Sequence, residues 1–317
     1  MPKIVMSDSV FPDQAVENEV LEALGTEIVL AKSNAAEDII AAAKDADALL
    51  VVFAEITKEV IDQLDNCKII SRAGVGINNI DIQAAKEKGI KVSYVPDYCI
   101  DEVSDHTLAL ALALNRKIRI YDEQVHNGGW AIDGSNPIYS MNGQTWGLVG
   151  FGKIAQVVAR KAQAFGFNVI AYDPFVSAAT AEEFNVKVVE LEEVIKEADV
   201  LSVHAPLNEH TKHIINETAL RNMKNTAYLI NTSRGGLVDS EALAKAIQEK
   251  WIAGAGTDVL EEEPPSSSDP LVGLGKNMLI TPHMAFYSEE AKITLRKSAT
   301  MEIVSVLTGK ELKNPAY

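Results

Sequence analysis

Cysteine is nearly missing from this chain of 317 residues, which carries only Cys67 and Cys99. Two cysteines supply neither a disulfide framework nor a thiolate metal cluster, so the composition predicts a chain kept in a reducing, cytoplasmic compartment. Long apolar runs are also missing: stretches 48–54 and 108–114 stop far short of the roughly 18 residues a membrane span needs. Met1 is followed by no basic start and no small-residue cleavage pattern, so no secretory signal is expected. Positive charge is scarce, with 29 Lys+Arg against 45 Asp+Glu and a formal net charge of −16. That balance argues against a nucleic-acid binder, whose sequence-independent affinity comes from clustered Lys and Arg. What is present is an ordinary globular composition, 47% hydrophobic and 23% charged. Single cores stop growing at roughly 250–300 residues, so a chain of this length predicts two domains.

Short β-branched runs alternate with helix-period stretches, the pattern of an α/β protein with parallel sheets. Strands are expected at residues 3–7, 28–31, 48–53, 69–72 and 92–95, with helices such as 15–24 and 35–44 between them. Residues 101–126 read as one long helix, because Ala and Leu dominate its centre, acids crowd its start and Arg116, Lys117 and Arg119 sit near its end. A helix apolar all round must be buried, which predicts a place at a domain or subunit interface and a homodimer. After a loop around Gly128, Gly129 and Pro137, a second series follows, with strands at 145–149, 168–172, 200–204, 227–231, 252–257 and 278–281. The helical segment from 288 is too short for a domain of its own and is expected to return to the first one. The discontinuous domain would then comprise 1–100 and 288–317, and the continuous one 101–287. Crossings near 97–101 and 285–289 are the expected hinge, where closure would exclude water.

Gly150-x-Gly152-x-x-Ala155 lies where an apolar strand meets a helix. The first glycine permits a tight turn, the second a close backbone approach to a pyrophosphate, and the small third residue a close helix–strand contact. The helix start, with Lys153 and Ile154, adds N–H groups and a favourable dipole. Such a match alone is often an ordinary turn, but here a second strand follows and ends at Asp173. An acid there can bind ribose hydroxyls and repel a 2′-phosphate, which predicts NAD in preference to NADP.

Three later segments each follow an apolar strand, at the edge where open α/β sheets bind ligands. They contain Arg234, then Asp258 and Glu263, then His283. Hydride exchange at a hydroxyl carbon needs a cation for an anionic substrate, an acid/base, and a partner setting that group's protonation. Arg234 could equally be a phosphate contact or a loop ion pair, and Glu263 belongs to an acidic run, although Pro264 sets it apart from Glu261 and Glu262. Among the other histidines, His126, His210 and His213 lie in polar segments, His106 reads as a satisfied interface residue, and His204 as part of a cofactor loop.

Together with the stretch from Arg72 through Gly74, Val75 and Gly76 to Asp81, these motifs resemble the D-isomer-specific 2-hydroxyacid dehydrogenases over essentially the whole chain. The resemblance implies a Rossmann NAD-binding domain inserted into a flavodoxin-like substrate domain. It implies that Arg234 clamps the substrate's carboxylate and carbonyl, that His283 is the general acid/base, and that Glu263 pairs with it. Asp258 would meet the nicotinamide carboxamide, while His204, Pro206, Thr211 and Thr232 would line the cofactor. The backbone at Gly74, Val75 and Gly76 would bind the substrate carboxylate; Arg72 either touches substrate or pairs with a local acid. Glu263 beside His283 favours the imidazolium form, a proton donor.

The segment after His283 is similar to the C-terminal-binding-protein branch, with Phe286 where that branch carries Trp. The remainder is close to phosphoglycerate dehydrogenases, but their small-residue run after the histidine is absent. Phe286 suggests an apolar wall, favouring hydroxypyruvate, glyoxylate or an alkyl or aromatic 2-keto acid over a phosphorylated one. The rival classes are an NAD-sensing corepressor-like binding protein and a formate-type oxidation, where the family pairs its histidine with Gln rather than Glu.

Overall fold

The computed structural model describes residues 1–132, 134 and 137–317. In chain order the elements begin β1 (Ile4–Met6), α1 (Ala15–Leu21), β2 (Ile28–Leu30), α2 (Ala36–Ala43), β3 (Ala48–Val51), α3 (Lys58–Asp62), β4 (Ile69–Arg72), α4 (Ile82–Glu87) and β5 (Lys91–Ser93). There follow α5 (Ile100–Asn115), α6 (Ile118–His126), β6 (Thr145–Val149), α7 (Lys153–Ala164), β7 (Asn168–Tyr172), α8 (Ala178–Glu183), β8 (Lys187–Val188) and α9 (Leu191–Glu197). The chain ends with β9 (Val200–Val203), α10 (Glu217–Asn222), β10 (Tyr228–Asn231), α11 (Ser240–Gln248), β11 (Gly254–Thr257), β12 (Met278–Ile280) and α12 (Glu289–Leu307). It divides into two compact units, Met1–Tyr98 with Ser288–Tyr317, and Cys99–Tyr287.

The first unit holds a parallel sheet in the order β2-β1-β3-β4-β5, the flavodoxin-like winding. β3 is buried along its whole length, as expected of a strand covered by helices on both faces. Ile39, Leu49, Val51 and Ile61 fill one apolar layer. Ile4, Met6 and Leu50 fill the other together with Leu295, Ala299 and Ile303 of α12. The last helix therefore completes the first unit's core. Ser288 starts it by accepting the Ala291 N–H. Arg296 then meets Glu17 of α1 through two bonds of 2.7 and 2.6 Å; Glu17 is fully buried.

The second unit holds a seven-stranded sheet in the order β12-β11-β10-β9-β6-β7-β8, all parallel. The winding reverses between β6 and β9, which opens a crevice at their carboxyl ends. The short strand β8 is an addition to the expected strands; its two residues are both exposed and carry no periodic signal. Among the described residues, no helix is long and apolar enough to cross a membrane.

The helix expected over 101–126 is two helices, α5 and α6. The break is at Lys117, whose backbone is left-handed at φ 56°. No Gly or Pro marks this position, so the chain offers no local breaker to read. The basic residues still lie at a helix end, because Arg116 caps α5. The burial expected at an interface is satisfied inside the unit: Leu108, Leu110, Ala111 and Leu114 join the core that contains Trp146 and Ile230. A Cβ on Gly256 would come within 3.1 Å of Leu110 and 3.3 Å of Leu114, so β11 is kept bare where the helix rests on it.

Candidate active site

β6 leads into the glycine turn. Gly150 has φ 93°, and a Cβ there would come within 2.8 Å of His204 C and Ala205 N. No other residue type fits both the conformation and the space. The turn therefore lies directly against the loop after β9, across the crevice. Gly152 is the N-cap of α7 and brings no side chain of its own to the helix start, while Ala155 is buried. Lys153 and Ile154 form the first turn of the helix. Asp173, after β7, accepts the N–H of Phe151 and that of Phe175, each at 2.8 Å. Its carboxylate thus fixes the turn as well as presenting charge at the strand end. A backbone cradle closed to side chains, an uncapped helix start and a terminal acid together fit a dinucleotide. Gly150, Gly152, Lys153, Ile154 and Asp173 would hold it.

The loop after β9 is closed by its own hydroxyl: Thr211 Oγ1 donates to the Pro206 carbonyl at 2.6 Å and accepts the Asn208 N–H at 2.8 Å. His204 Nε2 is 2.9 Å from Ser202 Oγ, which also accepts the Trp146 indole N–H. Burial pushes the His204 imidazole down to about 4, so it is neutral at physiological pH.

β10 ends at Asn231, whose side chain organises the next loop. Its Oδ1 accepts the Ser233 N–H at 3.0 Å and its Nδ2 donates to the Arg234 carbonyl at 2.9 Å, an Asx-type turn. Arg234 donates from Nη1 to the Ser233 carbonyl at 2.7 Å. A Cβ on Gly235 would lie 2.0 Å from Leu260 C and O, so this loop is packed against the backbone of the loop after β11. Thr232 Oγ1 and Thr107 Oγ1 are 2.8 Å apart.

The loop after β11 carries Glu263. Its Oε1 accepts the Leu260 N–H at 2.9 Å and its Oε2 lies 2.6 Å from His283 Nδ1. Burial pushes the Glu263 carboxyl up, but the His283 bond and charge, the Leu260 N–H and the Arg234 guanidinium outweigh it and hold it below its ordinary value. An ionised carboxylate can only accept, so the proton of this bond resides on His283 Nδ1. The acidic run is divided in its tasks. Glu261 binds His213 at 2.9 Å and the Ser240 N–H at 3.1 Å, a second histidine–carboxylate pair that the sequence did not announce, and Glu262 is exposed.

Asp258 is 1% exposed. Its Oδ1 accepts from Thr281 Oγ1 at 2.5 Å and the Met284 N–H at 2.9 Å, and its Oδ2 accepts the Ala285 N–H at 2.7 Å. Its carboxylate therefore grips the loop of His283, a task not expected from sequence. His283 itself has φ 51°, and Phe286 beyond it is partly buried. The second unit thus gathers Arg234, Glu263 and His283 on adjoining loops at one sheet edge. It forms an arrangement able to neutralise an anion and to hold a proton on an imidazole.

In the first unit, Arg72 ends β4 and folds back over the glycine loop. Its Nη1 donates to the Ala73 carbonyl at 2.6 Å and occupies the place where a Gly74 Cβ would be. Gly74 has φ 156°, and Val75 and Gly76 continue the loop. The Phe53 ring lies 6.0 Å from the guanidinium.

Residues 108–285 match the family model described as D-isomer specific 2-hydroxyacid dehydrogenase, NAD binding domain. The chain is 37% identical over 99% of its length to a D-3-phosphoglycerate dehydrogenase of Methanocaldococcus jannaschii, of which it spans 59%. It is 38% identical over 86% of its length to a glyoxylate reductase of Korarchaeum cryptofilum, of which it spans 82%. The D-lactate dehydrogenase of Aquifex aeolicus, solved with NAD and lactic acid, superposes with a TM-score of 0.88 at 28% identity, covering 96% of this chain and 95% of that one. The chain belongs to the D-isomer specific 2-hydroxyacid dehydrogenases, NAD-binding oxidoreductases of the CH–OH group of 2-hydroxy acids.

Proposed function

We propose that this protein reversibly converts a small 2-keto acid to its D-2-hydroxy acid, with Arg234, Glu263 and His283 as the working side chains. The observation that carries this reading is the 2.6 Å bond between Glu263 Oε2 and His283 Nδ1 beside the Arg234 loop. With Nδ1 committed to Glu263, His283 Nε2 is the atom that gives a proton to the substrate oxygen in reduction and takes it back in oxidation. Glu263 supports the charge on the imidazolium, and Arg234 binds carboxylate and carbonyl with a planar fork that lysine lacks. NAD supplies the hydride exchange when bound. Gly150, Gly152, Lys153, Ile154, Asp173, His204, Pro206, Thr211 and Thr232 are proposed as its contacts, with Asp258 toward the carboxamide. Arg72 and the backbone of Gly74, Val75 and Gly76 are proposed for the substrate carboxylate, and Phe286 for its side chain.

The substrate is proposed to be hydroxypyruvate, glyoxylate or an alkyl or aromatic 2-keto acid, supported by the apolar character of Phe286 and the identity shared with a glyoxylate reductase. Phosphoglycerate oxidation is the second reading, favoured by the likeness to the Methanocaldococcus protein. A homodimer is proposed on the apolar side chains displayed after α5, above all Trp130 and Ile132, which are 89% and 93% exposed. A cytoplasmic location is proposed on the scarcity of cysteine, of which the chain has two, both buried. The deciding experiment is a panel of 2-keto acids and both enantiomers of each hydroxy acid, assayed with NAD(H) and NADP(H). D-specific, NAD-dependent turnover of an unphosphorylated acid is expected. Saturation by phosphohydroxypyruvate alone would favour the second reading, and inertness toward all of them would favour a binding protein.

A further inference from the structure

Helix α5 supplies two consecutive side chains to the loops just described. Thr107 reaches Thr232 beside Arg234, and His106 reaches the loop of His283. His106 Nε2 is 2.9 Å from Thr281 Oγ1 and 3.6 Å from Asp258 Oδ1. The Thr281 hydroxyl donates its one hydrogen to Asp258 Oδ1, so toward His106 it can only accept. The polarity of the chain is therefore fixed: His106 Nε2–H donates to Thr281, whose O–H donates to Asp258.

Asp258 is the end of that chain and the anchor of the catalytic loop. Beyond Thr281 it binds the N–H groups of Met284 and Ala285 through its carboxylate, and its carbonyl accepts the His283 N–H at 2.8 Å. Four groups of the stretch 281–285, the Thr281 hydroxyl and the N–H groups of His283, Met284 and Ala285, are thereby bent around one residue. His283 sits in the left-handed region, which a non-glycine residue holds only when its surroundings over-determine it. Without the proton from His106, the Thr281 oxygen loses the donor that opposes Asp258, and its rotor loses the direction toward that carboxylate.

We infer that His106 is a positioning residue for His283: its donated proton orients Thr281, Thr281 and Asp258 fix the bend, and the bend aims the imidazole at Glu263. The inference rests on the reading of His283 as the proton-transfer group. It assigns His106 a role exerted through Thr281 and Asp258, so its signature is a fall in turnover rather than in binding.

The test compares His106→Leu, His106→Gln and Thr281→Val, the double variant His106→Leu/Thr281→Val, and His283→Ala. Steady-state rates with NADH and a 2-keto acid are measured together with amide hydrogen exchange at Met284 and Ala285. His106→Leu is expected to lower kcat about tenfold or more, with KM for NADH held within about twofold. His106→Gln, which retains an N–H donor, recovers most of that loss. Adding His106→Leu to Thr281→Val costs little more, since both cut one chain. Exchange at Met284 and Ala285 accelerates in His106→Leu and returns toward the wild-type rate in His106→Gln. Unchanged kcat and exchange in His106→Leu would overturn the inference, as would equal losses in the Leu and Gln variants. If His283→Ala keeps its turnover, the reading of His283 itself fails, and the exchange rates alone still decide whether His106 holds the loop.

Discussion

Glu263 Oε2 and His283 Nδ1 are joined at 2.6 Å, although the two residues come from different strand ends and lie 20 positions apart. The bond fixes which ring nitrogen carries the structural proton and which exchanges one. Replacing His283 by Ala, or Arg234 by Ala, is expected to lower kcat/KM by about a thousandfold or more. Circular dichroism should stay near wild type, since neither side chain belongs to an apolar core, and Tm should fall only by what the Glu263–His283 pair contributes. Arg234→Lys should recover little, because a point charge cannot replace a bidentate fork. Turnover within about tenfold of wild type in either Ala variant would remove that residue from the chemistry.

The same pair makes a prediction about acid. Burial raises the Glu263 carboxyl, yet the His283 bond and charge, the Leu260 N–H and Arg234 bring its net value below the ordinary one. A carboxyl depressed in the folded state contributes stability above its unfolded pKa of about 4.3 and loses it as pH falls through the lower folded value. Wild-type Tm should therefore fall on acidification below about pH 4.3, and Glu263→Gln should fall less steeply over that window. Parallel acid profiles for the two proteins would contradict the pairing.

His204 behaves in the opposite manner to a histidine with a carboxylate partner. Burial pushes it down to about 4, so the folded protein holds it neutral and gains stability from this above the unfolded pKa of about 6.5. That contribution fades as pH drops from about 6.5 toward the folded value. In an NMR titration its Hε1 resonance should stay flat between pH 8 and about 5. A midpoint near the free histidine value would show that the ring is solvated.

Asp173 ties cofactor choice to turn geometry, because its carboxylate oxygens also hold the Phe151 and Phe175 amides. Asp173→Ala should weaken NADH binding about tenfold or more while leaving NADPH binding less affected, so the preference narrows. Fluorescence titration with both cofactors reads this directly. An unchanged ratio of affinities would place the discrimination elsewhere.

Much of this architecture was legible in the chain, for identifiable reasons. The strands β6, β10, β11 and β12 are short runs of mostly apolar or small residues that lead to Gly150, Asn231, Asp258 and His283, as strands buried between helices do. Arg234, Glu263 and His283 could be singled out because each follows such a strand. The break at Lys117 was hidden, since a left-handed lysine leaves no compositional trace. From sequence His106 reads as an interface residue, because its partners, Thr281 and Asp258, lie more than 150 positions away, a distance that no local pattern spans. The pairing of His213 with Glu261 was concealed in the same way. Asn231 was within reach: an Asn at a strand end two residues before Ser233 is an Asx-turn signal.

The first unit has its own vulnerable joint. Arg296, 5% exposed, and Glu17, fully buried, share two short bonds, with Asp13 accepting from the same guanidinium. Removing Arg296 strands the buried Glu17 charge, so Arg296→Met should cost about 3–5 kcal/mol, and Glu17→Gln less, because Asp13 still accepts from the guanidinium. Urea unfolding followed by amide exchange in α1 and α12 should show the loss in the first unit. A change within about 0.5 kcal/mol would mean that the pair is solvated in solution.

The most direct test of the central claim is a crystal structure of the protein with NAD and oxamate, an unreactive mimic of a 2-keto acid. Arg234 should contact the mimic's carboxylate and carbonyl oxygens, and His283 Nε2 should lie within hydrogen-bond reach of that carbonyl, with Glu263 still on Nδ1. Oxamate bound away from Arg234, or an imidazole turned from the carbonyl oxygen with Glu263 released, would contradict it.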